Sequence, residues 1–364
     1  MASTSSPLEA PIDARRGRPD LSLMFFSADS DAASFDFVMK ATKFADDARF
    51  KAVWFPERHF DRFGGPFPNP ALFCAAAARI TKTIRLRAGS VVLPLHDMVR
   101  IYEDWAVVDN LSGGRVDLAF ATGWDARSFC LKPENYASRG DIVRDGVEQF
   151  RALWSGASTS RVNGEGVRTS ITPLPRPVQS RPDLWLTAVK QPAIFEQAGR
   201  SECNVLTALL MQPLEKLSEN MRLYRAARAG AKSNAARGKV TLMLHTFVGT
   251  DDGDALAKVA VPLTSYLASS MQLWGNESDA LRKLSEQDRA RIIEFALQRY
   301  VRMSSLIGGP ETVARRLSEI TRLGIDEIAC LIDFGPAVAD VMASLVRLAA
   351  IWKEMDLAER TSEA

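Results

Sequence analysis

The chain offers few groups for acid–base or metal chemistry. It has three histidines, His59, His96 and His245. None sits in an HExxH or another short metal-ligand spacing, so a zinc or non-haem iron site is not expected. Imidazole titrates near neutral pH, which suits it to act as acid or base beside a reacting group. His59 stands in Pro56-Glu57-Arg58-His59-Phe60, where a carboxylate, a guanidinium and an imidazole follow one another directly after an apolar run. His96 follows a second apolar run, and both residues are placed to face the mouth of a strand layer. His245 lies inside the apolar run 241–249 and reads as a core or barrel-lining residue. The chain has no GxSxG elbow, no GxxxxGK[ST] loop and no GxGxxG after a strand, so serine hydrolases, P-loop enzymes and dinucleotide folds all lack their physical signature. Cys74, Cys130, Cys203 and Cys330 are far apart without a CxxC pair and read as reduced thiols.

The elements that position these groups follow from hydrophobic periodicity. Apolar runs at 21–27, 52–55, 84–93, 116–121, 184–187, 205–206, 240–249 and 327–332 alternate with segments of helical spacing, the last from Ala337 to about Met355. Such alternation calls for a parallel sheet, and eight units favour a closed α/β barrel, a (β/α)8 TIM barrel, over an open doubly wound sheet. In a barrel the loop 56–70, rich in proline, glycine, rings and charges, lies at the C-terminal face where chemistry is placed. Residues 156–183 read as a loop with a small hairpin around Gly164–Gly166. A helical stretch at about 261–302, with Pro262 near its start, reads as an insertion before the last unit and as a lid or substrate wall. The expected organisation is a disordered tail over 1–20, one barrel domain over 21–356 and a C-terminal tail over 357–364.

Composition limits the class of partner. The 364 residues carry 46 Lys+Arg against 44 Asp+Glu, a formal net charge of +2, which removes the electrostatic footprint of a dedicated nucleic-acid binder. The run Arg15-Arg16-Gly17-Arg18 is too short to restore it. No apolar stretch approaches the roughly 18 residues of a membrane span, and the N-terminal segment has no apolar centre of the secretory kind. A cytoplasmic enzyme is the expectation.

The residues at successive strand ends carry a resemblance. Trp54 to Phe60, Gly64-Gly65, Pro68-Asn69-Pro70, Ala88 to Asp97, Asp109 to Arg115, Ala121-Thr122-Gly123-Trp124 and Pro133-Glu134-Asn135-Tyr136 stand in order. Together they resemble the bacterial luciferase-like flavin monooxygenases, and within them the branch associated with polyketide and nonribosomal peptide biosynthesis. The resemblance runs from about Leu21 to Ile351. It implies a barrel that binds reduced FMN (FMNH2) at its C-terminal face, forms a C4a-peroxyflavin with O2 and transfers one oxygen atom by hydroxylation, oxygen insertion or N-oxidation. It further implies a separate flavin reductase, a homodimer, and a small-molecule or carrier-protein-tethered substrate.

The resemblance also assigns positions. Gly89 and Ser90 match a frequent non-prolyl cis peptide beneath the isoalloxazine ring. Thr122, Gly123 and Trp124 match the turn near ribityl chain and phosphate, Arg139 a phosphate-binding arginine with Tyr136 beside it, and Ala188, Val189, Lys190 and Gln191 the turn that completes the phosphate cradle. Arg58 occupies the place of a catalytic histidine in luciferase, His59 is the adjacent acid or base, and Glu57 is expected to orient both. Ala121 stands where luciferase has a reactive cysteine, so no thiol role follows. This sequence departs from the family at Val189-Lys190-Gln191, where a Gly/Ser-rich turn is usual, and from the branch at Asp61 and Asp125, often histidines, and at Met98, often proline. A deazaflavin-dependent oxidoreductase and a flavin-lacking binding or scaffold relative therefore stay open as alternatives.

Overall fold

In the computed structural model, residues 18–27, 32–61, 65–209, 212–231, 237–275 and 285–363 are described. Eight parallel strands close on themselves: β1 (Asp20–Met24), β2 (Ala52–Phe55), β3 (Arg85–Val92), β4 (Val116–Ala121), β7 (Leu184–Thr187), β8 (Asn204–Ala208), β9 (Val240–Val248) and β11 (Glu327–Leu331). The ring is sealed by β8 pairing with β9 and β11 pairing with β1. Sequential strands are neighbours, as short right-handed crossovers require. Helices α1 (Ala32–Asp47), α2 (Pro70–Ile80), α3 (Met98–Ser112), α4 (Arg139–Ser155), α5 (Pro192–Arg200), α6 (Leu214–Ala229), α9 (Pro310–Arg322) and α10 (Val338–Glu363) cover the outside. This is a (β/α)8 barrel.

Local chemistry sets the helix starts on the C-terminal face. Asn69 caps α2 by accepting from the Ala71 N–H at 2.9 Å with Pro70 in the first turn, and Asp97 caps α3 by accepting from Val99 at 2.8 Å. Each cap thereby fixes where a βα loop ends.

Three findings modify the expected layout. A short ninth parallel strand, β10 (Leu306–Gly308), pairs with the outer end of β9; three residues between helices are too few to show a period. The inserted helices are α7 (Asp252–Gly275) and α8 (Glu286–Met303), so the helical stretch begins directly after β9 and Pro262 lies inside α7. Residues 276–284 of the expected insertion lie outside the described residues. At the ends of the chain, residues 1–17 of the expected tail lie outside them as well, but Arg18 pairs with Asp356 at 3.0 Å and covers the Trp352 ring, and α10 continues past Met355 to Glu363. The hairpin forms between β5 (Thr159–Val162) and β6 (Arg168–Ile171).

The barrel is filled in layers. Strand alternation turns Met24, Trp54, Ala119, Trp185, Leu206, Ala329 and Leu331 inward as one apolar cluster. Below it lies a charged layer that the apolar strand patterns did not reveal. Arg87, 1% exposed, donates to both Glu327 oxygens at 2.7 and 2.8 Å and to Asp117 at 2.8 Å, and its guanidinium lies between the Trp54 and Trp185 rings. Ser22 and the Trp54 indole N–H also donate to Glu327. Burial alone would raise the Glu327 carboxyl, but Arg87 outweighs it and holds the group below the usual carboxylate range.

Candidate active site at the C-terminal mouth

The loop after β2 brings three side chains to the barrel mouth. Glu57 is buried, and each of its oxygens has a defined task. Oε2 accepts from the Val92 main-chain N–H at 2.8 Å, which ties the loop to the end of β3. Oε1 lies 2.8 Å from His59 Nε2 and 2.7 Å from His96 Nε2, so one carboxylate oxygen holds two imidazoles. Burial pushes Glu57 upward, yet the hydrogen bonds from His59, His96 and Val92 bring it below its ordinary value. For His96, burial acts to lower the pKa, and the Glu57 carboxylate more than reverses that. Glu57 thus contacts His59, and its other imidazole partner is His96, with no contact to Arg58 among its hydrogen bonds. His96 had no assigned role in the sequence reading, although its place after a strand end was the available signal.

Arg58 is 4% exposed and faces Asp125 at 3.5 Å, with the Trp124 ring 4.3 Å from its guanidinium carbon. Its Nε and Nη2 are buried and make no hydrogen bond to any described residue. Burial lowers its pKa while Asp125 and Asp61 oppose that; a guanidinium stays charged throughout the physiological range. The two aspartates that depart from the branch pattern hold Arg127, Asp61 at 2.7 Å and Asp125 at 3.3 Å. Residues 62–64 of this loop lie outside the described residues.

The peptide between Gly89 and Ser90 is cis, at the inner face of β3. A Cβ at Gly89 would sit 3.0 Å from the Trp54 Cβ and 3.2 Å from the Met24 Cε, so a side chain there would require those neighbours to shift by a few tenths of an ångström. The Ser90 hydroxyl bonds the Thr187 hydroxyl, joining the ends of β3 and β7. After β4, Thr122 and Gly123 are half-buried and Trp124 is partly exposed. Gly123 has φ +74°, and a Cβ would meet Val92 Cγ1 at 2.8 Å and Phe129 at 3.0 Å. Gly123→Ala is therefore expected to cost about 1–3 kcal/mol through both strain and overpacking, seen as a lower thermal midpoint; an unchanged midpoint would contradict the packing described.

Further along, Arg139 opens α4, donates to the Tyr136 carbonyl at 2.6 Å and lies over its ring at 4.3 Å, while Tyr136 packs edge-on against Phe129. Ala188 is buried at the end of β7, Val189 is half-buried, and Lys190 and Gln191 are exposed just before α5, of which Gln191 is the N-cap. The structure thus gathers Glu57, Arg58, His59, His96 and Trp124 through direct contacts. Gly89, Ser90, Ala188 to Gln191, Tyr136 and Arg139 are distributed around the same face. A separate cleft of about 920 Å³, lined by Arg151, Trp154, Arg181, Arg200 and Glu202, opens at the opposite end of the strands, away from these groups. Among the described residues no group of three or more His, Cys, Asp or Glu side chains could hold a metal ion, and no described helix is long and apolar enough to cross a membrane.

A family model for luciferase-like monooxygenases matches residues 21–327. The chain belongs to that family. A flavin-dependent trigonelline monooxygenase, oxygenase component, of Acinetobacter baylyi is 28% identical over 325 residues, covering 86% of this chain and 88% of the relative. Among solved structures, the oxygenating constituent of 3,6-diketocamphane monooxygenase from Pseudomonas putida, in complex with FMN, superposes with TM-score 0.74 at 17% identity over 93% of this chain and 98% of that one. The monooxygenase RslO1 of Streptomyces bottropensis gives TM-score 0.72 at 23% identity over 91% and 98%. At these identities the two structures establish the fold.

The site fits a flavin on observations of its own. Arg58 Nε and Nη2 are buried at the mouth of the barrel and make no hydrogen bond to any described residue, Nη2 meeting Asp125 only as an ion pair at 3.5 Å, so an electron-rich group there would satisfy them. The start of α5 supplies the helix N-terminus at which anions are commonly held.

Proposed function

We propose that this luciferase-like family member is an FMNH2- and O2-dependent monooxygenase supplied by a separate flavin reductase. The observation that carries the proposal is Arg58: a buried cation, covered on one side by Trp124 and left with unmet hydrogen-bond donors in the mouth of a family barrel. The two-component name of the Acinetobacter baylyi relative supports the reductase, and the FMN complex of the Pseudomonas putida structure supports FMN as the flavin. When bound, the reduced flavin supplies the activation of O2 and the oxygen atom's transfer.

The chain's own residues position and protonate. Arg58 holds a fixed positive charge where negative charge develops, at no reorganisation cost. His59 moves a proton at the ring nitrogen not engaged with Glu57, and Glu57 keeps the imidazole in one orientation. Thr122, Gly123 and Trp124 form one wall of the cofactor site, Gly89 and Ser90 its floor, and Ala188 to Gln191 with Tyr136 and Arg139 hold the phosphate, Lys190 adding a point charge where relatives use small donors. Helices α7 and α8 exclude water. The substrate is a polyketide or peptide natural-product intermediate, free or tethered to a carrier protein, and the enzyme is a homodimer, points that rest on the sequence resemblance; its place in the cytoplasm rests on the N-terminal composition and the scattered cysteines.

Anaerobic titration of the purified protein with FMNH2, followed by mixing with O2, tests the proposal. Saturable binding and flavin reoxidation that is slower than that of free FMNH2 are expected, and Arg58→Met should weaken binding by about tenfold or more, the loss of a charge-assisted hydrogen bond. Binding of a reduced deazaflavin instead, or of no flavin at all, would overturn it.

A further inference from the structure

His245 is a buried imidazole with one ring nitrogen engaged and the other unmet by any described residue. The register of β9 turns Thr241, Met243 and His245 inward: Thr241 accepts from the Trp185 indole at 3.1 Å, Met243 packs on the interior cluster, and His245 follows in the uppermost layer, 1% exposed. Its ring is boxed edge-on by Tyr266, Phe334 and Tyr300 at centroid distances of 4.4, 5.1 and 5.4 Å. Nδ1 lies 2.6 Å from the Tyr300 hydroxyl on α8. Nε2 is buried and makes no hydrogen bond to any described residue. A buried polar atom left unmet costs about 1–3 kcal/mol, so its retention points to a partner that arrives with the bound molecule.

Tyr300 sets where the proton lies in the proposal. Burial keeps that phenol protonated, and its O–H has Nδ1 within reach as an acceptor at 2.6 Å. The neutral ring then carries its proton on Nε2. Burial among the three rings pushes the imidazole down to about 3, so it stays uncharged in the physiological range.

We propose that the Nε2–H of His245 docks a neutral carbonyl oxygen of the molecule bound in the barrel mouth, either an organic substrate or the isoalloxazine ring. An uncharged donor in an aromatic box discriminates by chemistry. A carboxylate would lose its hydration without gaining a counter-charge. A hydroxyl accepts too, but must place its own proton among carbon atoms. A carbonyl needs only the one donor, and a neutral imidazole polarises it without surrendering a proton. The flavin arm of the proposal rests on the function proposed above; the substrate arm does not.

Nitrogen-15 imidazole spectra of the full chain without flavin test this, because only three histidines contribute and His59→Gln, His96→Gln and His245→Gln assign them. His245 is expected as the neutral Nε2–H form throughout about pH 5–8; an Nδ1–H form would overturn the proposal. Acetophenone, α-methylstyrene (which replaces the carbonyl oxygen by a methylene), benzoate and FMN are then added separately. A shift of the His245 Nε2–H signal with acetophenone but not α-methylstyrene places the carbonyl on the substrate, and a shift with FMN alone places it on the flavin; either supports the proposal. His245→Leu should weaken that ligand about tenfold, whereas His245→Gln, which keeps an N–H at the reach of Nε2, should stay within about threefold. No shift with ketone or FMN, or a larger response to benzoate, overturns it, and the wild-type spectra decide even if the leucine variant folds poorly. A ketone response in a protein that binds no flavin would sink the cofactor proposal and leave this one standing.

Discussion

Replacing Glu327 with alanine is expected to lower the stability of the barrel by about 3–5 kcal/mol, because the change leaves Arg87 charged and unpaired on one side inside the strands. The Arg87 guanidinium makes two of its hydrogen bonds to Glu327, and Ser22 and Trp54 lose their acceptor at the same time. Denaturant midpoints at constant slope measure the effect. Glu327 has its pKa lowered by the fold, so its contribution is present above the unfolded value of 4.5 and is lost as the pH falls through the folded value. The gap between wild type and variant should accordingly narrow in acid. The double change Arg87→Met with Glu327→Leu should be milder than Glu327→Ala, since it removes both charges; a single variant within 1 kcal/mol of wild type, roughly the worth of a surface pair, would refute the buried pairing.

The second large effect is expected at Glu57. In Glu57→Gln an amide N–H2 group takes the place of one carboxylate oxygen, while the Val92 N–H and both imidazoles still require acceptors. One donor then faces another, or His59 and His96 lose their common anchor. Turnover of the FMNH2-loaded enzyme is expected to fall about 10²-fold or more, the usual worth of a positioned acid or base. Stability also becomes pH-dependent in a defined way. Glu57, lowered in the fold, stabilises above its unfolded value of 4.5 and ceases to do so as the pH falls through its folded value. His96, raised in the fold, stabilises fully below its unfolded value of 6.5, and that contribution is lost as the pH rises through its folded value. The difference in thermal midpoint between wild type and variant should thus be widest between those two values, and a gap that is flat with pH would contradict the shared-oxygen arrangement.

These two sites also show what was legible in the sequence. The eight strands could be read because each is a short apolar run bounded by helical periodicity, and the mouth could be read because Pro56 to Pro70 breaks that rhythm with rings and charges. Arg87, Asp117 and Glu327 were invisible for the same reason: each is a charged residue inside or at the edge of an apolar run, and pairing across β3, β4 and β11 has no local signature. Asp125 stood out only as a departure from a family pattern, and its engagement of Arg58 and Arg127 depends on two loops meeting in space. His96 reaches Glu57 across 39 residues of sequence, so spacing alone had no means of linking them. His245 was placed correctly in the barrel lining, whereas its unmet nitrogen is a property of packing.

The charged layer between Trp54 and Trp185 has a kinetic consequence. Ser22, Trp54, Arg87, Asp117, Trp185, Thr241 and Glu327 are all essentially inaccessible, so the barrel is a cup with a sealed base and not a tube. Molecules that enter along its axis must leave by the same rim. Whatever the mouth binds is thus exchanged with solvent on the C-terminal side alone, through gaps that the βα loops leave between them.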